Sequence, residues 1–414
     1  MPPAWPGLGG DRRRRLPTGN RRDGARRAQR SRPAAARAAA AGAPAGPGSA
    51  RAAGAVALSG RPATGNPGRR RRPARLGEPC GAGAAQGRQR RAAGWRSLAG
   101  GGGMSSLFAF PGQGAQQPAM LHQLPDEPLV RACLEEASDA LGEDVRALDS
   151  AEALASTRAV QLCLLLAGVA GARLLLARGA RPDYVAGLSV GAYPAAVVGG
   201  ALELADAVRL VALRGELMER AWPGGHGMTA IMGLGPAELE PLLARVNGPD
   251  SPVFLANINA DNQLVIAGSE AAMSAVGELA RRSGAGAARR LAVSVPSHCA
   301  LLAEPAARLA EAFAGVRLRR PALRYLSGSS ARLLLDPEAL RDDLAFNMCR
   351  VVDWRGTLRS AYERGVRLHV ELPPGTVLSG LARRAMRQGA VIAFQGARLD
   401  TLDALLREEG CLDR

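Results

Sequence analysis

The chain has 414 residues and a formal net charge of +17, but residues 1–103 hold 22 Arg against three acidic residues (Asp11, Asp23, Glu78), and the other 311 residues stand at −2. Its longest apolar runs, such as Leu162–Ala170, are too short to span a bilayer and are broken by Gly and Arg, which argues against a membrane protein. Six scattered cysteines with no C-x-x-C pair, and four histidines (122, 226, 298, 369) without ligand spacing, argue against a disulfide framework or a metal site.

Residues 1–103 are Arg, Ala, Gly and Pro with almost no aliphatic pattern, so they are expected to be disordered. Such a stretch suits a nucleic-acid-binding arm or an organellar transit peptide. The absence of lysine suits a GC-biased gene, and the sequence becomes protein-like at Met104, so the extension reads as untranslated. No secretory signal is visible, and reduced thiols suit the cytoplasm. The remaining body suits one large domain, or a large one with a small one.

From Met104 the pattern predicts a strand over Leu107–Phe110 running into the loop Pro111-Gly112-Gln113-Gly114-Ala115-Gln116. Loops at the carboxyl ends of parallel strands are where α/β proteins build sites. Helices are predicted over 130–140 and 157–178, then a strand over 184–187. That strand enters Gly187-Leu188-Ser189-Val190-Gly191, which has the G-x-S-x-G spacing of a nucleophile elbow. Serine at the tip of a strand-to-helix turn sits on strained backbone, and flanking glycines let the two segments pass closely. Pro194 stands in tension with the following helix. Residues 203–220 form a further helix carrying Arg209, Arg214 and Arg220.

A β-α-β-β-α-β order follows: strand 228–233, helix 236–246, paired strands 253–259 and 264–267, helix 270–282, strand 288–295. This order resembles a ferredoxin-like unit inserted in the larger domain. The chain leaves it at Val295-Pro296-Ser297-His298-Cys299, which puts His298 in position for a general base. A helix to Ala314, a strand over 323–326, helices over 336–348 and 354–362, a strand over 368–372 and a helix over 377–386 complete the expected α/β alternation.

Five elements in order carry a resemblance: Phe110–Gln116 (FPGQGAQ), Gly187–Gly191, Arg214, Val295–His298, and Glu371–Leu381 (ELPPGTVLSGL). Together they resemble the malonyl-CoA:acyl-carrier-protein transacylase family over essentially all of 104–395. The elbow departs from most fatty-acid-synthesis members, with Leu188 in place of His and Ala192 in place of Glu. Its G-L-S-V-G-A-Y form is similar to the ε subunit of malonate decarboxylase.

The resemblance implies an α/β-hydrolase-like core with a parallel sheet (104–228 and 299–414) and a ferredoxin-like insertion (229–298). It implies Ser189 as nucleophile, His298 as base and the backbone N–H groups of Gln113 and Val190 as oxyanion hole. Arg214 is implied as the grip on the malonyl carboxylate, with Asn347 and Asn259 as further substrate-binding residues. Asn347 takes the place of a family Gln whose backbone carbonyl orients the histidine. No cofactor is implied; malonyl-CoA is the donor, and a carrier-attached thiol is the acceptor. The expected function is malonyl transfer to an acyl carrier protein, as a malonate decarboxylase subunit. The rival readings are a transacylase of fatty-acid or polyketide synthesis, a serine esterase, and a nucleic-acid-binding protein acting through the Arg-rich arm.

Overall fold

The computed structural model describes residues 105–408. The Arg-rich stretch, with the disorder, transit-peptide and nucleic-acid readings attached to it, lies outside the described residues. Strand β1 (Ser105–Phe110) opens the chain, and helix α1 (Pro128–Leu141) starts on Pro128 and ends against Gly142 in the left-handed region. Helix α2 (Thr157–Ala177) begins where the Ser156 hydroxyl accepts from the Ala159 N–H. Strand β2 (Tyr184–Gly187), helix α3 (Ala192–Val198) and helix α4 (Leu204–Ala221) follow. Pro194 falls in the first turn of α3, where its missing N–H leaves no intrahelical bond unmade.

The second group is β3 (His226–Met232), α5 (Pro236–Val246), β4 (Val253–Ala260), β5 (Gln263–Ser269), α6 (Glu270–Arg282) and β6 (Ala287–Arg290). The third is α7 (Ala303–Ala312), β7 (Arg324–Leu326), β8 (Leu333–Leu334), α8 (Pro337–Phe346), α9 (Trp354–Glu363), β9 (Val366–Glu371), α10 (Val377–Ala385), β10 (Ala390–Ala393) and α11 (Leu399–Glu408).

Two sheets result. One has the order β10-β9-β1-β2-β7-β8 and is parallel except for the short β7–β8 pair. The other has the order β4-β5-β3-β6 and is antiparallel throughout. Side chains on β1 alternate between two layers, as strand geometry requires. Phe108 and Phe110 pack into the cluster built around α2, whereas Leu107 and Ala109 pack with Trp354, Leu358 and Leu378. Both faces of the parallel sheet are therefore covered.

The structure differs from the sequence reading in four places. The strand expected to reach Val295 stops at Arg290. There the Arg290 guanidinium donates to the carbonyls of His226, Met228, Leu291 and Val293, taking up acceptors as the chain leaves the sheet. The helix expected to reach Met348 ends at Phe346, and a separate short turn, Asn347–Cys349, follows. The elements β8, β10 and α11 were not expected at all. Finally, α2 with its 21 residues is long and apolar enough to cross a membrane, yet 89% of its most apolar window is buried inside the fold. It is apolar all round because protein surrounds it all round.

Candidate active site

The elbow forms because two glycines permit contacts that no side chain allows. A Cβ on Gly187 would lie 1.9 Å from the backbone of Gly191, and one on Gly191 would lie 2.2 Å from the Phe110 carbonyl oxygen. The strand thus turns straight back beside the end of β1, where the Leu188 N–H donates to the Phe110 carbonyl. Ser189 at the tip has φ of 57°, an uncommon conformation for a residue with a side chain. His298 is held in the same region at φ 65°, and its backbone N–H donates to the Met348 carbonyl at 2.7 Å. Two strained residues face each other across the site.

Ser189 Oγ lies 2.8 Å from His298 Nε2, and His298 Nδ1 lies 2.8 Å from the backbone oxygen of Asn347. A carbonyl only accepts, so Nδ1 carries the proton and donates it. Nε2 therefore presents its lone pair to the Ser189 hydroxyl, which donates. Burial first, and the charge of Arg214 second, lower the His298 pKa to about 4. The imidazole is neutral at physiological pH and free to take a proton.

Arg214 on α4 is 1% exposed. Its guanidinium donates to Gln161 Oε1 at 2.6 Å, to Asn347 Oδ1 at 3.1 Å and to Ser189 Oγ at 3.3 Å. All three partners are neutral, and Nε has no partner among the described residues. Among the described residues no carboxylate pairs with this cation. Burial lowers its pKa to about 10, which leaves it charged at neutral pH. A buried charge is costly unless an anion meets it, so a negative group beside Ser189 would offset that cost.

The pair opens on a cavity of about 280 Å³ between the two sheets. Gln113, Ser189, His298 and Asn259 line it together with Asn257 and Val377. Val190 is buried directly after Ser189, in a short helical turn. The structure thus gathers Ser189, His298, Arg214 and Asn347 into one hydrogen-bonded set, and puts Gln113 and Asn259 on the cavity wall. No group of three or more potential metal ligands gathers among the described residues.

Sequence reasoning missed Gln161 and Asn257. Gln161 is an amide in the otherwise apolar run of α2, and that isolation was its signal. Asn257 lines the same cavity as Asn259, and its buried Oδ1 has no partner among the described residues.

Residues 107–407 match the family described as acyl transferase domain. The chain is 38% identical over 283 residues to the malonyl CoA-acyl carrier protein transacylase of Salmonella typhimurium, covering 67% of this chain and 91% of that protein. It is 33% identical over 291 residues to the protein of the same name from Bacillus subtilis strain 168, covering 69% and 92%. Among solved structures, FabD from Acinetobacter baumannii superposes with TM-score 0.69 and 38% identity, over 74% of this chain and 98% of that one. A malonyl-transacylase in complex with its type II polyketide acyl-carrier protein superposes with TM-score 0.67 and 35% identity, over 73% and 98%.

Proposed function

The chain belongs to the acyl transferase domain family, and from that premise we propose that it moves a malonyl group from malonyl-CoA to the thiol of an acyl carrier protein through an ester on Ser189. The observation that carries the malonyl assignment is Arg214: a buried guanidinium without a carboxylate partner, 3.3 Å from the nucleophile oxygen. The free carboxylate of a malonyl group supplies the missing anion, and a planar guanidinium meets it with two parallel hydrogen bonds.

The reaction runs in two half-reactions. Ser189 Oγ attacks the thioester carbonyl while His298 Nε2 takes its proton. The tetrahedral oxyanion faces the backbone N–H groups of Gln113 and Val190, where one such donor contributes about 10²–10³ in rate. Collapse expels the thiolate of coenzyme A, which His298 reprotonates. In the second half-reaction His298 deprotonates the carrier thiol, which attacks the ester and releases Ser189. The neutral imidazole serves both steps, and no cofactor is needed. Asn259 and the side chain of Asn347 contact the substrate from the cavity wall and from beside Arg214.

The names of the relatives favour a carrier of fatty-acid or polyketide synthesis over the malonate decarboxylase carrier subunit, despite the form of the elbow, and we adopt that reading. We further take the parallel sheet with its helices (104–228 and 299–414) as the α/β-hydrolase-like part. The antiparallel unit near 229–298 is taken as ferredoxin-like, a reading supported by its strand order. A cytoplasmic setting fits the free thiols of Cys133, Cys163, Cys299 and Cys349.

The test is transfer itself. Purified protein with malonyl-CoA is given either a fatty-acid-type carrier or a malonate decarboxylase carrier subunit, and malonyl-carrier is measured by intact-protein mass. Preference for the first is expected. Preference for the second would reinstate the decarboxylase role, and release of malonate to water without either carrier would make the protein an esterase.

A further inference from the structure

A second feature touches the elbow from another side. A gap too narrow for water is lined by Gly187, Ser189, Ala192, Gly328, Asp343 and Asn347. Asp343 is 4% exposed and is not used in the chemistry above. Its Oδ1 accepts from the Ser327 hydroxyl at 2.7 Å and the Ser329 hydroxyl at 2.6 Å, and its Oδ2 accepts from the Tyr325 hydroxyl at 3.1 Å. All three donors lie on β7 or on the loop that leaves it. That loop presses on the elbow, since a Cβ on Gly328 would lie 2.5 Å from the Gly187 carbonyl oxygen. The same aspartate sits in the last turn of α8, where its backbone carbonyl accepts from the Asn347 N–H. Asn347 in turn offers its own carbonyl to His298 and its amide oxygen to Arg214.

We propose that Asp343 is a positioning residue for acyl transfer, tying the loop beneath the nucleophile to the helix end that orients the base. Its carboxylate holds the loop and its backbone carbonyl holds Asn347, so losing the carboxylate frees the loop from the helix end and lets Ser189 shift relative to His298. Its acceptor-only oxygens suit the task, because three hydroxyl donors converge on them without competition. Ala192 keeps the elbow side of the gap free, and the carboxylate that lines it comes from α8 instead. Misalignment of reacting groups by about 1 Å costs on the order of 100-fold in rate while leaving substrate contacts in place, so the effect belongs to the maximal rate.

This inference rests on the malonyl-transfer reading, and its test separates the two. The burst of malonyl-enzyme formation is followed at varied malonyl-CoA for wild type, Asp343→Ala, Asp343→Asn and Ser329→Ala, with labelling by a fluorophosphonate measured in parallel. Asp343→Ala should lower the maximal acylation rate and the labelling rate by about 10- to 100-fold at unchanged half-saturation. Asp343→Asn should retain most activity, because rotating hydroxyls accept from an amide as readily as they donate to a carboxylate. Ser329→Ala should act in the direction of Asp343→Ala but less. A wild-type rate in soluble Asp343→Ala, or a change confined to half-saturation, overturns the proposal. Should Asp343→Ala fail to fold, an unchanged rate in Ser329→Ala overturns it equally. A wild type that forms no malonyl ester would sink the function reading instead, and the labelling rates alone would then decide the role of Asp343.

Discussion

The ring of His298 is oriented by a backbone oxygen, that of Asn347, at 2.8 Å from Nδ1. A carbonyl fixes the tautomer as a carboxylate would, but it brings no negative charge to stabilise the protonated ring. Buried beside Arg214, the base is therefore held well below its usual pKa.

This arrangement divides the work of Asn347 between backbone and side chain. Asn347→Ala keeps the carbonyl and removes the 3.1 Å contact from Arg214. The expected outcome is a raised KM for malonyl-CoA with fluorophosphonate labelling of Ser189 close to wild type. Loss of labelling would mean that the side chain is needed to hold the base.

Ser189→Ala should abolish covalent malonylation, since the proposed ester is on that oxygen. Intact-protein mass after mixing with malonyl-CoA should show no adduct. A persistent adduct would place the nucleophile elsewhere.

His298→Ala should slow acylation and carrier transfer alike, by about 10²–10⁴-fold. The pH dependence follows from the sign of the shift. His298 is active when neutral, so the acylation rate should hold its plateau below pH 6.5 and fall only as pH approaches about 4. An acid limb centred near 6.5 would contradict this.

His369, buried on β9, is also lowered to about 4 from 6.5, mainly by burial, against the pull of a backbone carbonyl beside the ring. Between those values the unfolded chain binds more protons than the folded one. The contribution of His369 to stability is fully present above pH 6.5 and is lost as pH falls toward 4. Melting temperatures across that window should fall with acid, and His369→Leu should flatten the slope; an equally steep slope in the variant would clear His369.

Arg214→Ala should change which acyl group is accepted. Removing the cation strands the malonyl carboxylate, a loss of about 2–5 kcal/mol for a buried charge pair. Acetyl-CoA has no such carboxylate and should suffer little. The ratio of kcat/KM for the two substrates reads this directly. An equal fall for both would make Arg214 a structural residue.

Local features were legible in the residues themselves. Gly187 and Gly191 had to flank Ser189 because the backbone at the elbow leaves no room for a Cβ. Arg214 was one of three arginines on its helix and was singled out by the family resemblance, and His298 was marked by the Val295-Pro296-Ser297 turn before it. Helix spans such as Pro236–Val246 and Glu270–Arg282 were legible because caps and apolar spacing act over a few residues. Contacts between distant partners were not legible in this way. Gln161 meets Arg214 across 53 residues of chain, and Asn347 meets Ser189 across 158. No local pattern marks such pairs, because each is fixed only when α2, α4 and the end of α8 pack against one elbow. The same holds for β6, which stops where Arg290 takes up the carbonyls of β3 and its own exit loop. Burial, which turns an ordinary arginine into an unpaired cation and an ordinary histidine into a neutral base, exists only once those layers have closed.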